Sequence, residues 1–315
     1  MARSGTNAAN QGFLGCHPPQ RAIWRNGTLC TLWLLLREIL QVLGTLRFGH
    51  NDEWHVCHPS RVTYSDSTMI HIGRICEIVR YPVKSMAGTA TESALLGWHG
   101  LAGDRRFAFR RVGEGGGFPW LSASRLPELL LYHPVGLDES TGEPLPTHVR
   151  TPAGTFLELR SAVLTAEIAE RFGGGLELMQ FKHGIFDEGA VSVISLATMA
   201  GIGREAGLDL DRRRFRANIL VETERSEPFL EDAWVGRMLV FGDRDPRPAV
   251  SVTMCDLRCM MMNLDPETAE QDARIMKTVV RLNKNNAGVY GTVVRSGTIC
   301  VGDRVSLVSE ALGIR

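Results

Sequence analysis

The sequence predicts a β-rich α+β fold, a closed or half-closed barrel with peripheral helices. Three observations predict it. Short apolar runs of strand length, ended by Gly or Pro, recur from Met69 to Val308. Two longer apolar patterns each run from a serine to a glycine, the signature of a capped helix. No βαβ alternation is evident and no glycine-rich fingerprint follows a strand, so a dinucleotide-binding Rossmann unit is not expected.

The elements follow in order. Residues 69–83 read as a strand, with Ile70, Ile72, Ile75, Ile78 and Val79 apolar and Tyr81-Pro82 ending it. Gly97, Gly100 and Gly103 punctuate a turn-rich passage into a second strand over 106–110. Residues 124–131 form a short helical turn around Pro127, and the prolines of 133–155 mark hairpins and loops. Ser161 caps a helix that ends at Phe172 before Gly173. A strand follows over 176–181. A second helix covers 195–206 and stops at Gly207. Strands are expected at 218–221, 238–241 and 250–254. Asp265 and Pro266 place a cap and a first-turn proline ahead of a helix reaching Leu282. Residues 288–295 and 298–301 are expected to pair as a hairpin across Ser296-Gly297, with a last strand over 305–308.

The first 68 residues differ in character. Cys30–Leu36 is apolar, but Arg37-Glu38 interrupts it well short of the ~20 residues a membrane span needs. No cleavage site follows in register, so no signal peptide is expected. We expect Met69 to be the natural start and 1–68 a poorly ordered leader or an upstream extension. Residues 69–185 would form one β-barrel region and 186–310 a second domain. Among 315 residues Lys+Arg and Asp+Glu are equal at 35 each, so no basic field points to nucleic acid. The seven cysteines are odd in number and show no framework, which points to a reducing, cytoplasmic setting.

Chemistry concentrates in a few places. In Cys255-Asp-Leu-Arg-Cys259 a guanidinium stands beside a thiol, and such a pairing favours the thiolate that binds soft metals or attacks as a nucleophile. The Cys-x3-Cys pair could be half of a zinc or iron–sulfur site, or two buried inert thiols. Met262 occupies the slot where a cluster would put its third thiolate. Lys84 and Ser85 leave the first strand and suit an anionic oxygen, phosphate above all, although a solvated lysine reads as well. Arg105 and Arg106 stand at a strand entry, where alternation sends them to opposite faces, so only one can reach a shared site. Arg214, Arg216 and Asn218 would share one strand face, fit for a phosphate and a heterocycle edge, or form a charged edge.

Taken together these segments resemble the MOSC proteins (molybdenum cofactor sulfurase C-terminal domain) that carry a MOSC N-terminal β-barrel. They are similar to the mitochondrial amidoxime-reducing components and their bacterial relatives. The resemblance rests on Tyr-Pro-Val-Lys-Ser at 81–85, Gly-Asp-Arg-Arg-Phe at 103–107, Phe-Arg-Ala-Asn-Ile at 215–219, Arg-Cys-x5-Asp-Pro at 258–266 and Gly-x-Tyr-x6-Gly-x-Ile-x-Val-Gly-Asp at 288–303. It implies a molybdenum cofactor held by its pterin phosphate and ring, with one cysteine thiolate on the metal. By motif the metal ligand and catalytic residue falls on Cys259. Cofactor-binding roles fall on Lys84, Ser85, Arg106, Arg216, Asn218, Arg258 and Tyr290. This chain departs from its relatives in three places: Cys-x3-Cys for Cys-x2-Cys, Asp187-Glu188-Gly189 for Asp-Thr-Ser, and Arg-Ala-Asn for Arg-Pro-Asn.

The implied activity is that of an oxidoreductase reducing a small N-hydroxylated or N-oxide substrate. No flavin or iron–sulfur motif is present. Electrons would therefore come from a separate ferredoxin-, flavin- or cytochrome b5-type protein. The alternative is a non-catalytic carrier of the cofactor or of sulfur, with Cys259 as a persulfide. Pyridoxal phosphate enters by family association alone, without a sulfurase domain to hold it.

Overall fold

The computed structural model describes residues 46–48, 54–56 and 69–308, apart from 114, 115 and 187. The chain divides into two units, residues 1–63 and 64–313, with the last residues split between them. In the first unit an antiparallel pair, β1 (Leu46–Phe48) and β2 (Trp54–Val56), is described. The rest of the expected leader, Met1 to Thr45 included, lies outside the described residues.

The second unit begins with β3 (Met69–Arg80), β4 (Thr89–Thr91), β5 (Ser93–Gly97), β6 (Gly100–Leu101) and β7 (Phe107–Arg111). Three short strands follow, β8 (His133–Val135), β9 (His148–Arg150) and β10 (Phe156–Glu158). Then come helix α1 (Ala162–Phe172), β11 (Leu176–Gln180), β12 (Val191–Ser195), helix α2 (Leu196–Ala206) and β13 (Ile219–Thr223). The chain closes with β14 (Met238–Phe241), β15 (Ala249–Leu257), helix α3 (Arg274–Asn283), β16 (Asn286–Arg295), β17 (Gly297–Cys300) and β18 (Arg304–Val308).

The main sheet runs β13-β12-β16-β15-β14-β18-β3, and β3 pairs back onto β13 to close a seven-stranded barrel. All pairings are antiparallel except β12–β13, which α2 connects. This one βαβ crossover exists where the sequence showed no alternation: β12 is buried at every position and β13 opens with three buried residues, so neither shows the period that marks a half-exposed strand. Alternate inward residues fill the barrel: Ile75 and Ile78, Val193, Ile219 and Val221, Val250 and Val252, Val289 and Val293, Val305 and Leu307. A second core under the β7–β11 pair packs Phe107, Phe109, Leu121, Tyr132 and Val149 against Leu164 and Ile168 of α1. A third lies between the barrel wall and α2 and α3, where Met199, Ile202, Ile275 and Val279 meet Phe215 and Leu220.

The helix ends follow the sequence signals. Ser161 Oγ accepts from Leu164 N at 3.2 Å, and Ser195 Oγ accepts from Thr198 N at 3.1 Å. Such a cap stabilises its helix by about 1 kcal/mol. Gly173 and Gly207 take the left-handed conformation that ends each.

Three expectations are corrected. The last helix starts at Arg274, not after Asp265, because the Asp265 carboxylate accepts from Glu267 N and Thr268 N in a tight turn and Ala269 then turns left-handed. Residues 297–300 do not pair with 288–295; β17 pairs with β5, two hundred positions away, so chain adjacency misled. The run from Arg212 to Phe215 is a 3-10 turn and Arg216 is left-handed, so Arg214, Arg216 and Asn218 are not on a strand and do not alternate.

Candidate functional site

A cavity of about 320 Å³ opens where the second core meets one end of the barrel. Segment 81–124 supplies Lys84, Ser85, Arg105, Phe118, Ser122 and Ser124 to its wall. The barrel side supplies Glu188, Arg214 to Arg216, the stretch Asp256 to Met262, and Tyr290. Most of the residues expected from sequence thus converge, although they come from both halves of the chain.

Each position has a local cause. Pro82 ends β3, and the chain turns so that Lys84 N donates to Phe107 O at 2.8 Å while Ser85 takes φ 66°. Lys84 is 6% exposed, with Nζ 5.2 Å from the Phe118 ring centroid. Arg105 has φ 48° and Arg216 φ 50°. Seven described non-glycine residues have positive φ, and three of them, Ser85, Arg105 and Arg216, line this one cavity. Strained backbone of this kind concentrates at ligand sites, because the surrounding structure must hold it.

Tyr81 is the shared platform. The Arg216 guanidinium lies 4.3 Å from its ring centroid and that of Arg105 5.4 Å. Burial pushes the Tyr81 hydroxyl up to about 12, so it stays neutral. Arg216 Nη1 also donates to Met86 O at 2.7 Å. Arg105 pairs with the buried Asp104 and reaches Asn218 Oδ1 at 3.3 Å. Asn218 does not line the cavity. It ties the wall together, donating to Val79 O at 3.2 Å and accepting from Ser192 N at 3.2 Å.

Arg258 is held by two backbone carbonyls, Ala287 O at 2.7 Å and Phe215 O at 2.6 Å, and by Asp256 at 3.0 Å. Its charge is therefore committed to Asp256 and the barrel end, not to the neighbouring thiol. Gly288 makes this possible: it has φ 86°, and a Cβ there would lie 3.1 Å from Arg258 Nη2 and 2.8 Å from Val193 O. Repeated register shifts between β15 and β16 bend the strand just before Cys259. Cys259 itself is exposed and opens the 3-10 turn Met260–Asn263. Cys255 does not line the cavity, and burial with Asp232 beside it pushes its thiol up.

Arg106 is corrected. Its Nε donates to Phe181 O at 2.6 Å and its Nη1 to Glu143 at 2.7 Å, away from the cavity. Arg105 takes the place expected for it, because a left-handed residue breaks the strand alternation on which the choice was framed. Sequence reasoning also missed Asp256, Phe118, Ser122 and Ser124. Asp256 could have been found as the acid inside Cys255-Asp-Leu-Arg-Cys259; the other three carry no local signal.

Among the described residues no group of three His, Cys, Asp or Glu side chains could hold a metal ion. No described helix is long and apolar enough to cross a membrane.

Comparison with known proteins places these features in a family. Residues 72–142 match the MOSC N-terminal beta barrel domain, and residues 180–306 match the MOSC domain. The YuaD protein from Bacillus subtilis is 14% identical, with 76% of this chain and 96% of that one covered and a TM-score of 0.43. YiiM from Geobacillus stearothermophilus is 18% identical over 40% of this chain and 57% of its own, with a TM-score of 0.30. No curated protein matches the chain. Both domain models fall on the segments that build the cavity, and the chain belongs to the MOSC family, with a MOSC N-terminal β-barrel domain ahead of a MOSC domain.

Proposed function

We propose that the chain binds a molybdenum cofactor in this cavity and reduces small N-hydroxylated or N-oxide substrates with electrons from a separate donor protein. The observation that carries the reading is one exposed thiol, Cys259, in a cavity with five cationic side chains: Lys84, Arg105, Arg214, Arg216 and Arg258. The residues fit the group. The buried Arg214 Nε lacks a hydrogen-bond acceptor, and Arg258 Nη2 meets only the Asp256 carboxylate, at 3.0 Å; a phosphate is rich in acceptors. A single soft donor is what a metal needs when the rest of its ligands arrive on the cofactor.

In this reading Lys84, Arg105 and Arg216 neutralise the phosphate end. The Tyr81–Arg216 cation–π contact holds one side of that end in place. Arg258, fixed by two carbonyls, supports the ring end, and Tyr290 closes the wall beside it. Cys259 supplies the thiolate. Phe118, Ser122 and Ser124 form the remaining wall, where a small substrate would find one apolar face and two hydroxyls. When bound, the cofactor supplies two-electron chemistry that accepts an oxygen atom.

Metal analysis of the purified full chain tests the proposal. Stoichiometric molybdenum that is lost in Cys259→Ser and kept in Cys255→Ser is the expected result, together with hydroxylamine reduction by a chemical reductant. A cofactor-free protein that takes up sulfur at Cys259 would identify the carrier instead. Absence of molybdenum with an unreactive Cys259 would remove both.

A further inference from the structure

The two acids that line the cavity are unlike. Glu188 is exposed on its loop, where water screens it. Asp256 is 2% exposed and belongs to β15 of the closed barrel. Its Oδ2 accepts from Ser192 Oγ of β12 at 3.2 Å and pairs with Arg258 at 3.0 Å. Arg105, from the loop before β7, and Tyr290, from β16, also favour its charged form. Neither side of the Asp256–Arg258 pair can move away: the acid sits on a barrel strand, and the guanidinium is held by Ala287 O and Phe215 O. Asp256 therefore occupies, as a fixed counter-ion, the field of the same cations that an incoming anion would use.

We propose that Asp256 is the proton-coupled counter-ion of the cavity: an anion that settles among Lys84, Arg105 and Arg216, in the field that Arg105 shares with Asp256, drives a proton from solvent onto the Asp256 carboxyl. The inference deepens the reading above and rests on its anion-binding part alone. Two like charges in a desolvated site that share the same cations do not both stay ionised. Burial pushes the Asp256 carboxyl up, against the pull of Arg258, Ser192, Arg105 and Tyr290, in the same direction as an incoming anion would push it. No electron is transferred; one proton moves from water to one carboxylate oxygen. Since the bound state holds one more proton than the free state, anion affinity falls as pH rises through that interval.

Inorganic sulfate is a suitable probe because it does not titrate near neutrality. The full chain, produced without molybdenum cofactor, would be titrated with sulfate and followed by amide chemical shifts at a series of pH values. Wild-type affinity should fall by up to about tenfold per pH unit within the coupled interval. Asp256→Asn should bind sulfate more tightly than wild type and lose that slope. Should Asp256→Asn fail to fold, Ser192→Ala carries the test: it removes a donor to the carboxylate and should move the sloping interval to higher pH. Equal slopes in wild type and Asp256→Asn, an unmoved interval in Ser192→Ala, or no sulfate binding would overturn the proposal. A protein that binds sulfate as expected but never holds molybdenum would refute the reductase reading and leave this coupling standing.

Discussion

Replacing Arg216 separates the work of its backbone from the work of its charge. At φ 50° an L residue is disfavoured by about 1–2 kcal/mol relative to glycine. The guanidinium offsets this with the Met86 O hydrogen bond at 2.7 Å and its place 4.3 Å from the Tyr81 ring centroid. A charge-assisted hydrogen bond contributes about 1.5–3 kcal/mol and a desolvated cation–π contact about 2 kcal/mol, less than their sum when both belong to one group. Arg216→Ala keeps the backbone cost and forfeits the contacts, so it should lose about 3 kcal/mol of stability. Arg216→Gly forfeits the same contacts but regains about 1–2 kcal/mol, so it should lie clearly above the alanine variant. Cofactor or sulfate binding should fall in both variants by the same factor, about 10- to 100-fold for one charged hydrogen bond. Urea unfolding midpoints read the first quantity, and molybdenum content with sulfate titration the second. Arg213 is the control: it does not line the cavity and pairs on the surface with Asp211 and with Glu267 at 2.6 Å. Arg213→Ala should leave binding unchanged and stability within about 0.5 kcal/mol. An Arg216→Gly protein that binds as wild type does, or one no more stable than Arg216→Ala, would refute the reasoning.

Gly288→Ala should destabilise the fold by about 2 kcal/mol or more, since its Cβ would meet Val193 O at 2.8 Å in a left-handed residue. Its sulfate affinity should fall as well, because Arg258 Nη2 is the other atom in the way; calorimetric melting beside the titration checks both. Glu231→Gln tests a buried acid that does not line the cavity. Glu231 is fully buried on Ser195 N and Ser195 Oγ, and burial raises its carboxyl above the usual range. With a folded-state value above the unfolded one, the contribution of Glu231 to stability is fully present at low pH and is lost as pH rises from the unfolded value to the folded one. The glutamine variant should show a smaller loss over that interval in urea unfolding; an unchanged pH dependence would contradict the assignment.

The helix ends at Ser161, Gly173, Ser195 and Gly207 were legible because capping is local chemistry. The helix after Asp265 was not, since Asp-Pro opens a turn as readily as a helix and the residue that decides, Ala269, carries no mark of its left-handed backbone. Partnership of β17 with β5 was hidden for another reason: nothing in either strand states which distant edge it will meet. Within the cavity, Lys84, Ser85, Arg216, Arg258, Cys259 and Tyr290 lay in recognisable segments. Arg105 was passed over because alternation applies to strands, and Arg105 precedes the strand in a conformation that sequence does not reveal. The hydroxyls of Ser122 and Ser124, 2.6 Å apart, had no pattern around them to mark them.

Strand β3 stands between β13 and β18, although β18 is made more than two hundred residues after it. During synthesis it must therefore wait for almost the whole chain before its edges are covered. A strand edge left open in this way is a template for pairing with other chains. The converse holds for dissection: a fragment that starts at the MOSC match, residue 180, lacks β3 and exposes the edges of β13 and β18. Strands from both matched segments thus close one barrel, and the 180–306 piece alone leaves that barrel open.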